Sequence, residues 1–254
     1  FVIYKHVINM LGGKCIFVDT YPDFALHPEK FEKAMTDKTK MIIVNCPCNP
    51  TGAVYSLEDI KAVGKLADDN GVLLLSDEIY DSFSYDVKSP CLGRYCKNTL
   101  LIKGFSKAYA MTGWRMGYVA GTDRVKAVIE EMTKIQQYTY VCAPTPFQKA
   151  AVTALDTDIS EYVNDYRKKR DILYEGLKDH YEIVRPGGAF YAFVKAPQWA
   201  DSATAFVEKA IQNNLLIIPG QVFSEKDTHF RISYATNDDN IKRGVEILQK
   251  LAKN

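Results

Sequence analysis

MIIVNCPCNPTGAVYSLEDIKAVGKLADDNGVLLLSDEIY, residues 41–80, places two short apolar runs on either side of a helix-like stretch. MIIV (41–44) reads as a strand, and VLLLS (72–76), apolar almost throughout, reads as a central one. Between them, SLEDIKAVGKLADDN (56–70) carries its own punctuation. Ser56 is a capping residue, Glu58 and Asp59 sit in the first turn beside the positive end of the helix dipole, and Gly71 is the stop. Strand, crossover helix, strand is the repeating unit of an α/β fold with a parallel sheet.

The same rhythm extends outward. CIFV (15–18), TLLI (99–102) and GYVA (117–120) read as further strands, PEKFEKAM (28–35) as a helix and DRVKAVIEEMTKIQQY (123–138) as an amphipathic helix. Together they are expected to complete a sheet covered on both faces. Beyond residue 157 the texture changes. A charged helix over 158–180 leads into YEIV (181–184), AFYAFV (189–194), a helix over 201–213, LLIIP (215–219), HFRISYA (229–235) and a last helix over 238–252. This is an α+β pattern, so a large α/β domain over 1–157 and a smaller C-terminal α+β domain over 158–254 are expected.

Composition narrows the function. With 254 residues, 47% of them hydrophobic and 25% charged, the chain can bury a sizeable core. A formal charge of +1, with basic and acidic residues interspersed, offers no footprint for nucleic acid. Apolar runs such as VLLL and LLII are too short to cross a bilayer, so no membrane partner and a cytoplasmic address are expected. The six cysteines form no CxxC pair and the four histidines are scattered, which favours reduced core cysteines over a metal site. The chain opens on Phe1, and we read it as a piece of something longer.

Four places carry chemistry, each at or near a predicted strand end, where α/β folds bind ligands. After MIIV, Asn49 in NPTG offers both a donor and an acceptor, although taken alone this tetrapeptide is a common turn. After VLLLS, Asp77 and Tyr80 stand just beyond an apolar run; a carboxylate there is dehydrated and suits one buried positive group. After TLLI and the bend at Gly104, Lys107 is crowded by aromatics and Arg115, which disfavours the ammonium and frees the amine for carbonyl chemistry. Ser106 and Arg115 bracket it with the groups a phosphate wants. Within HFRISYA, Arg231 requires a carboxylate partner, either a ligand or a structural acid such as Asp227 or Asp238.

NPTG, SDEIY, SKAYAMTGWRMGY and FRISYA, in this order, resemble the fold type I aminotransferases of class I/II, the aspartate and aromatic aminotransferase relatives that use pyridoxal 5′-phosphate (PLP). The resemblance also takes in KIQQYTYVCAPTPFQKAA (134–151) and GGAFYAF (187–193). It implies that Lys107 holds PLP as a Schiff base and then serves as general acid and base. It further implies that Asp77 keeps the pyridine nitrogen protonated, and that Tyr80 and Asn49 bond the ring's 3′ oxygen. Ser106 and Arg115 would bind the phosphate and Arg231 the substrate α-carboxylate, with Asn49 beside it. Amino acids and 2-oxo acids would be the substrates and a homodimer the assembly. Phe1 stands where the family often has an aromatic stacked on the ring, and Tyr138 and Tyr140 either line the pocket or pack at a helix end. Gly104 replaces a hydroxyl that some subgroups use for the phosphate. Family members carry further residues ahead of the position of Phe1, so an N-terminally incomplete site and an uncovered apolar surface are expected. A PLP-dependent lyase acting on Cβ or Cγ, and a catalytically silent binding or scaffold protein, are the alternatives.

Overall fold

The computed structural model describes residues 1–253. The chain begins with α1 (Ile3–Met10), an element not expected from the sequence, followed by α2 (Pro28–Ala34), β1 (Met41–Asn45), α3 (Leu57–Asp69), β2 (Leu73–Asp77), β3 (Thr99–Gly104) and β4 (Gly117–Gly121). It continues through α4 (Lys126–Thr139), α5 (Thr145–Leu155), α6 (Ser160–Leu177), β5 (Tyr191–Lys195), α7 (Ala203–Gln212), β6 (Ile218–Pro219), β7 (His229–Ser233) and α8 (Asp238–Leu251).

The first sheet has the order β1-β2-β3-β4. β1, β2 and β3 are parallel and β4 closes antiparallel on β3. The stretch 41–80 folds as its pattern requires. Ser56 caps α3 by accepting from Asp59 N at 3.0 Å, and Gly71 turns the chain with φ +63°. The helix lays Ile60, Val63 and Ala67 on Ile42, Val44 and Leu74 of the sheet. Full burial of side chains of this size contributes about 1.5–3 kcal/mol each for the larger ones.

The other face is covered more thinly than expected. Leu75, Leu100 and Val125 are buried there with partial cover from Tyr4 and Ile129, but α4 has no buried residue, and Val128, Met132 and Ile135 stand exposed. Ile3, Val7, Met10 and Leu11 of the opening segment are exposed as well. CIFV forms no strand: residues 15–18 find no ladder among the described residues, and Ile16 and Phe17 face solvent. A strand exists only through a partner's hydrogen bonds, so an apolar run alone does not make one. YEIV likewise contributes one isolated bridge, Ile183 to Val194, and LLIIP is a strand only at Ile218–Pro219.

The second sheet has the order β5-β7-β6, all antiparallel. α6, α7 and α8 pack on it through Leu173, Leu177, Phe206, Val245 and Leu248, and Tyr80, Phe83 and Tyr85 from the loop after β2 enter the same core. Among the described residues no helix is long and apolar enough to cross a membrane.

His229 at the start of β7 is buried against Tyr21, Phe24 and Phe193, with Thr228 Oγ1 2.8 Å from its Nδ1. Burial pushes its pKa down to about 4; Glu182 opposes this, and Lys195 and Lys226 reinforce it. The unfolded chain therefore takes up the proton first. The stabilisation is complete above pH ~6.5 and disappears as pH falls toward 4. Linkage sets an upper bound of about 3 kcal/mol, and partial solvent screening brings the expected loss nearer 2 kcal/mol. Urea midpoints measured from pH 7 to 4 should fall more steeply in the wild type than in His229→Phe. Equal slopes would remove the assignment.

Candidate active site

The parallel register sets β1, β2 and β3 side by side, so their C-terminal ends open on one edge. Asn45 and Asp77 are paired across β1 and β2, and Asp77 faces Ile102 on β3. Asn45 stitches the loop to the sheet: its Nδ2 donates to Asp77 O at 3.0 Å, and its Oδ1 accepts from Asn49 N at 2.8 Å. The NPTG loop is thus held against the end of β2, with Asn49 buried.

Gly52 explains the last letter of that motif. Its φ is +71°, and a Cβ placed on it would lie 2.6 Å from both Pro186 Cβ and Tyr191 O. Its carbonyl accepts from Gly187 N and Gly188 N, each at 2.9 Å. The loop after β1 is therefore locked onto the segment that leads into β5, which brings the second sheet to the first.

Asp77 ends β2 at 6% exposure and has no cationic partner among the described residues. Tyr4 Oη donates to its Oδ2 at 2.8 Å, and Ile79 N approaches its Oδ1 at 3.3 Å. Burial, and then the Asp77 charge, raise the Tyr4 pKa far above its ordinary value, so Tyr4 remains a donor. The neighbouring Glu78 is buried too but is satisfied locally, accepting from Ser76 Oγ at 2.9 Å and Leu92 N at 3.1 Å.

Lys107 follows β3 and is half-buried, with Nζ 5.9 Å from the Phe190 ring centroid. No acid pairs with it among the described residues. Its pKa is lowered by burial first, then by the Arg231 and Arg115 charges. The amine is thus shifted toward its neutral, nucleophilic form. Ser106 is half-buried, and Arg115 is exposed in a left-handed turn, its Nη1 donating to Thr112 O at 3.0 Å. A Cβ on Gly104 would lie 2.6 Å from Ile79 Cδ1, so the end of that side chain would have to turn aside for a hydroxyl residue there.

Arg231 departs from the structural alternative. Neither Asp227 nor Asp238 pairs with it: Asp227 accepts from Thr204 N at 3.1 Å, and Asp238 lies in the first turn of α8. Instead Nη1 donates to Asn49 Oδ1 at 2.9 Å, and the guanidinium lies between the Tyr191 and Phe223 rings, 4.5 Å from each centroid. Its Nε is buried without a partner, and burial lowers its pKa. A buried donor left open is costly unless a ligand accepts from it.

Tyr80 is buried, 3.1 Å from Tyr191 Oη, and its pKa is raised by burial, then by Tyr191 and Asp77. Asn49, Asp77, Tyr80, Lys107 and Arg231 are therefore gathered at one edge. Phe1 is 61% exposed, and Tyr138 and Tyr140 are exposed rather than packed at the helix end. Sequence reasoning missed Tyr4, Asn45, Tyr191 and Phe223. Only Asn45, immediately past MIIV, carried a local signal as a strand-end amide.

The residues present fit PLP: among the described residues the Lys107 amine has no acid partner, the buried Asp77 carboxylate has no cation and the buried Arg231 Nε has no acceptor, a set that an aldehyde, a pyridine nitrogen and a carboxylate would satisfy.

Comparison with known proteins agrees. The sequence profile "Aminotransferase class I and II" matches residues 1–248. A probable aspartate aminotransferase of Methanocaldococcus jannaschii is 37% identical over 258 residues, covering 99% of this chain and 68% of the relative. An aspartate/prephenate aminotransferase of Thermus thermophilus is 34% identical over 255 residues, covering 96% and 65%. This chain thus spans about two thirds of the length of these relatives. The aromatic aminotransferase from Pyrococcus horikoshii superposes with a TM-score of 0.94 at 31% identity, covering 100% of this chain and 71% of that one. A tetra mutant of Thermus thermophilus aspartate aminotransferase gives 0.93 at 34% identity, covering 99% and 71%. With the profile spanning both sheets and the fold type I architecture shared at this level, the chain belongs to the class I and II aminotransferases.

Proposed function

We propose that this chain carries the amino-transfer site of a PLP-dependent aminotransferase acting between an amino acid and a 2-oxo acid. The observation that carries the reading is the convergence of a half-buried amine of lowered pKa, a buried carboxylate with no cation among the described residues and an arginine whose buried Nε has no partner among them. When bound, PLP supplies an electron sink for the pair left as the substrate Cα loses its proton. Lys107 would hold the cofactor through its amine and serve as the group that carries that proton. Asp77, held by Tyr4, would keep the ring nitrogen protonated. Tyr80, with Asn49 beside it, would bond the ring's 3′ oxygen. Ser106 and Arg115 would take the phosphate, and Arg231 would grip the α-carboxylate while Asn49 fixes its fork.

The division into a cofactor-binding domain over 1–157 and a small domain over 158–254, with Arg231 on the latter, belongs to the same proposal. So does a homodimer, supported by the exposed apolar residues of α4. Aspartate and aromatic amino acids are the first donors to try, given the relatives' names.

The test is a PLP titration of the purified chain, followed by borohydride reduction, intact mass and peptide mapping, and then transfer from each donor to 2-oxoglutarate. The expected result is one added cofactor on the peptide containing Lys107, and glutamate formed in step with the new 2-oxo acid. Label on scattered lysines, or ammonia released in place of glutamate, would overturn the reading.

A further inference from the structure

Tyr191 joins two groups that the proposed function uses separately. On β5 it pairs in register with Ser233, beyond Arg231 on β7. The Arg231 Cζ lies 4.5 Å from its ring centroid, and its hydroxyl is 3.1 Å from Tyr80 Oη. Both tyrosines are buried, and no other side-chain hydrogen bond to either hydroxyl is formed among the described residues.

A phenol hydroxyl has one proton to donate and lone pairs to accept with. Once Tyr80 donates to a ligand oxygen it can only accept from its neighbour, so the Tyr191 hydroxyl must donate to Tyr80. That fixes the direction of the pair. The strength of the Tyr191 donor depends in turn on the charge over its face. A guanidinium there favours electron density moving into the ring, which makes the hydroxyl a stronger donor. A carboxylate on Arg231 offsets part of that charge and weakens the donation.

We infer that Tyr191 is a positioning residue that couples carboxylate occupancy at Arg231 to the hydrogen-bonding strength of the Tyr80 hydroxyl, its ring seating one and its hydroxyl orienting the other. The inference rests on the proposed function, in which Arg231 is the carboxylate anchor. It goes further by making the anchor and the tyrosine that tunes the cofactor parts of one device, linked through one side chain.

The readout is resonance position rather than turnover, on the chain loaded with PLP so that Tyr80 has the ligand oxygen to which it donates. In the chain labelled with 13Cζ-tyrosine and 15N-arginine, 2-oxoglutarate is titrated while the Arg231 Nε–H and Tyr80 Cζ resonances are followed. Assignments come from the single variants. In the wild type both resonances should move with one saturation curve. In Tyr191→Phe, which keeps the ring under the guanidinium, Arg231 should still respond with affinity within about threefold of wild type, while Tyr80 falls silent. In Tyr191→Leu the affinity should drop roughly three- to thirtyfold, because the aromatic face is gone.

A Tyr80 resonance that stays still in the wild type while Arg231 moves would overturn the coupling. The same Tyr80 shift in Tyr191→Phe would overturn it as well. If Arg231 itself ignores 2-oxoglutarate in the wild type, the anchor assignment fails and the inference falls with it. That outcome is distinct, because neither resonance then moves.

Discussion

Lys107→Ala should abolish covalent retention of PLP: after borohydride treatment the mass of the variant stays that of the bare chain, and amino transfer falls by at least about 10⁴-fold. The size follows from two losses at one atom. The amine that attaches the cofactor is gone, and so is the group that carries the Cα proton, a role worth roughly 10²–10⁴ by itself. Fold stability should change by less than about 1 kcal/mol, because Lys107 is only half-buried, has no acid partner among the described residues and meets Phe190 at 5.9 Å. Intact mass spectrometry, a thermal melt and a transfer assay on one preparation check all three. A covalent adduct that survives in the variant would place the attachment on another lysine.

Asp77→Asn should bind PLP more weakly and slow amino transfer by roughly 10²- to 10³-fold, the scale of removing one member of a buried charge pair. The substitution preserves shape. Asn offers a carbonyl oxygen to Tyr4 Oη, so the 2.8 Å contact can persist while the charge disappears. A melt close to wild type together with the lost rate identifies charge, rather than architecture, as what Asp77 contributes. Equilibrium dialysis for PLP and turnover with a saturating donor are the measurements. Asp77→Asn turning over at the wild-type rate would show that another acid faces the ring nitrogen.

The helix α3 and the strands around it were legible because their signals are local. Ser56, Glu58, Asp59 and Gly71 mark the ends of the helix, and the apolar runs mark the strands. The placement of the candidate residues was legible for a related reason. Asp77 ends β2, Asn49 and Lys107 lie just beyond β1 and β3, and in a parallel sheet those ends share an edge without any further information. CIFV and most of LLIIP misled because an apolar run predicts burial of side chains, whereas a strand also needs a neighbour's backbone. Cover on both faces of the sheet was over-read from α4, whose amphipathic pattern indicates a face suited to burial but not what lies against it.

The sequence by itself determined the α/β rhythm, the caps and which chemical groups stand at the strand ends, since these depend on residues within a few positions of one another. The tertiary structure decided how those groups are wired. Tyr4 reaches Asp77 across 73 residues, Tyr80 meets Tyr191 across 111, and Asn49, not an acid, holds Arg231 across 182. No local pattern encodes such pairs. The first is fixed by α1 lying on the first sheet, the other two by the sheets docking through Gly52 and the segment before β5, and a hydrogen bond between side chains forms only where packing has already brought their atoms within about 3 Å.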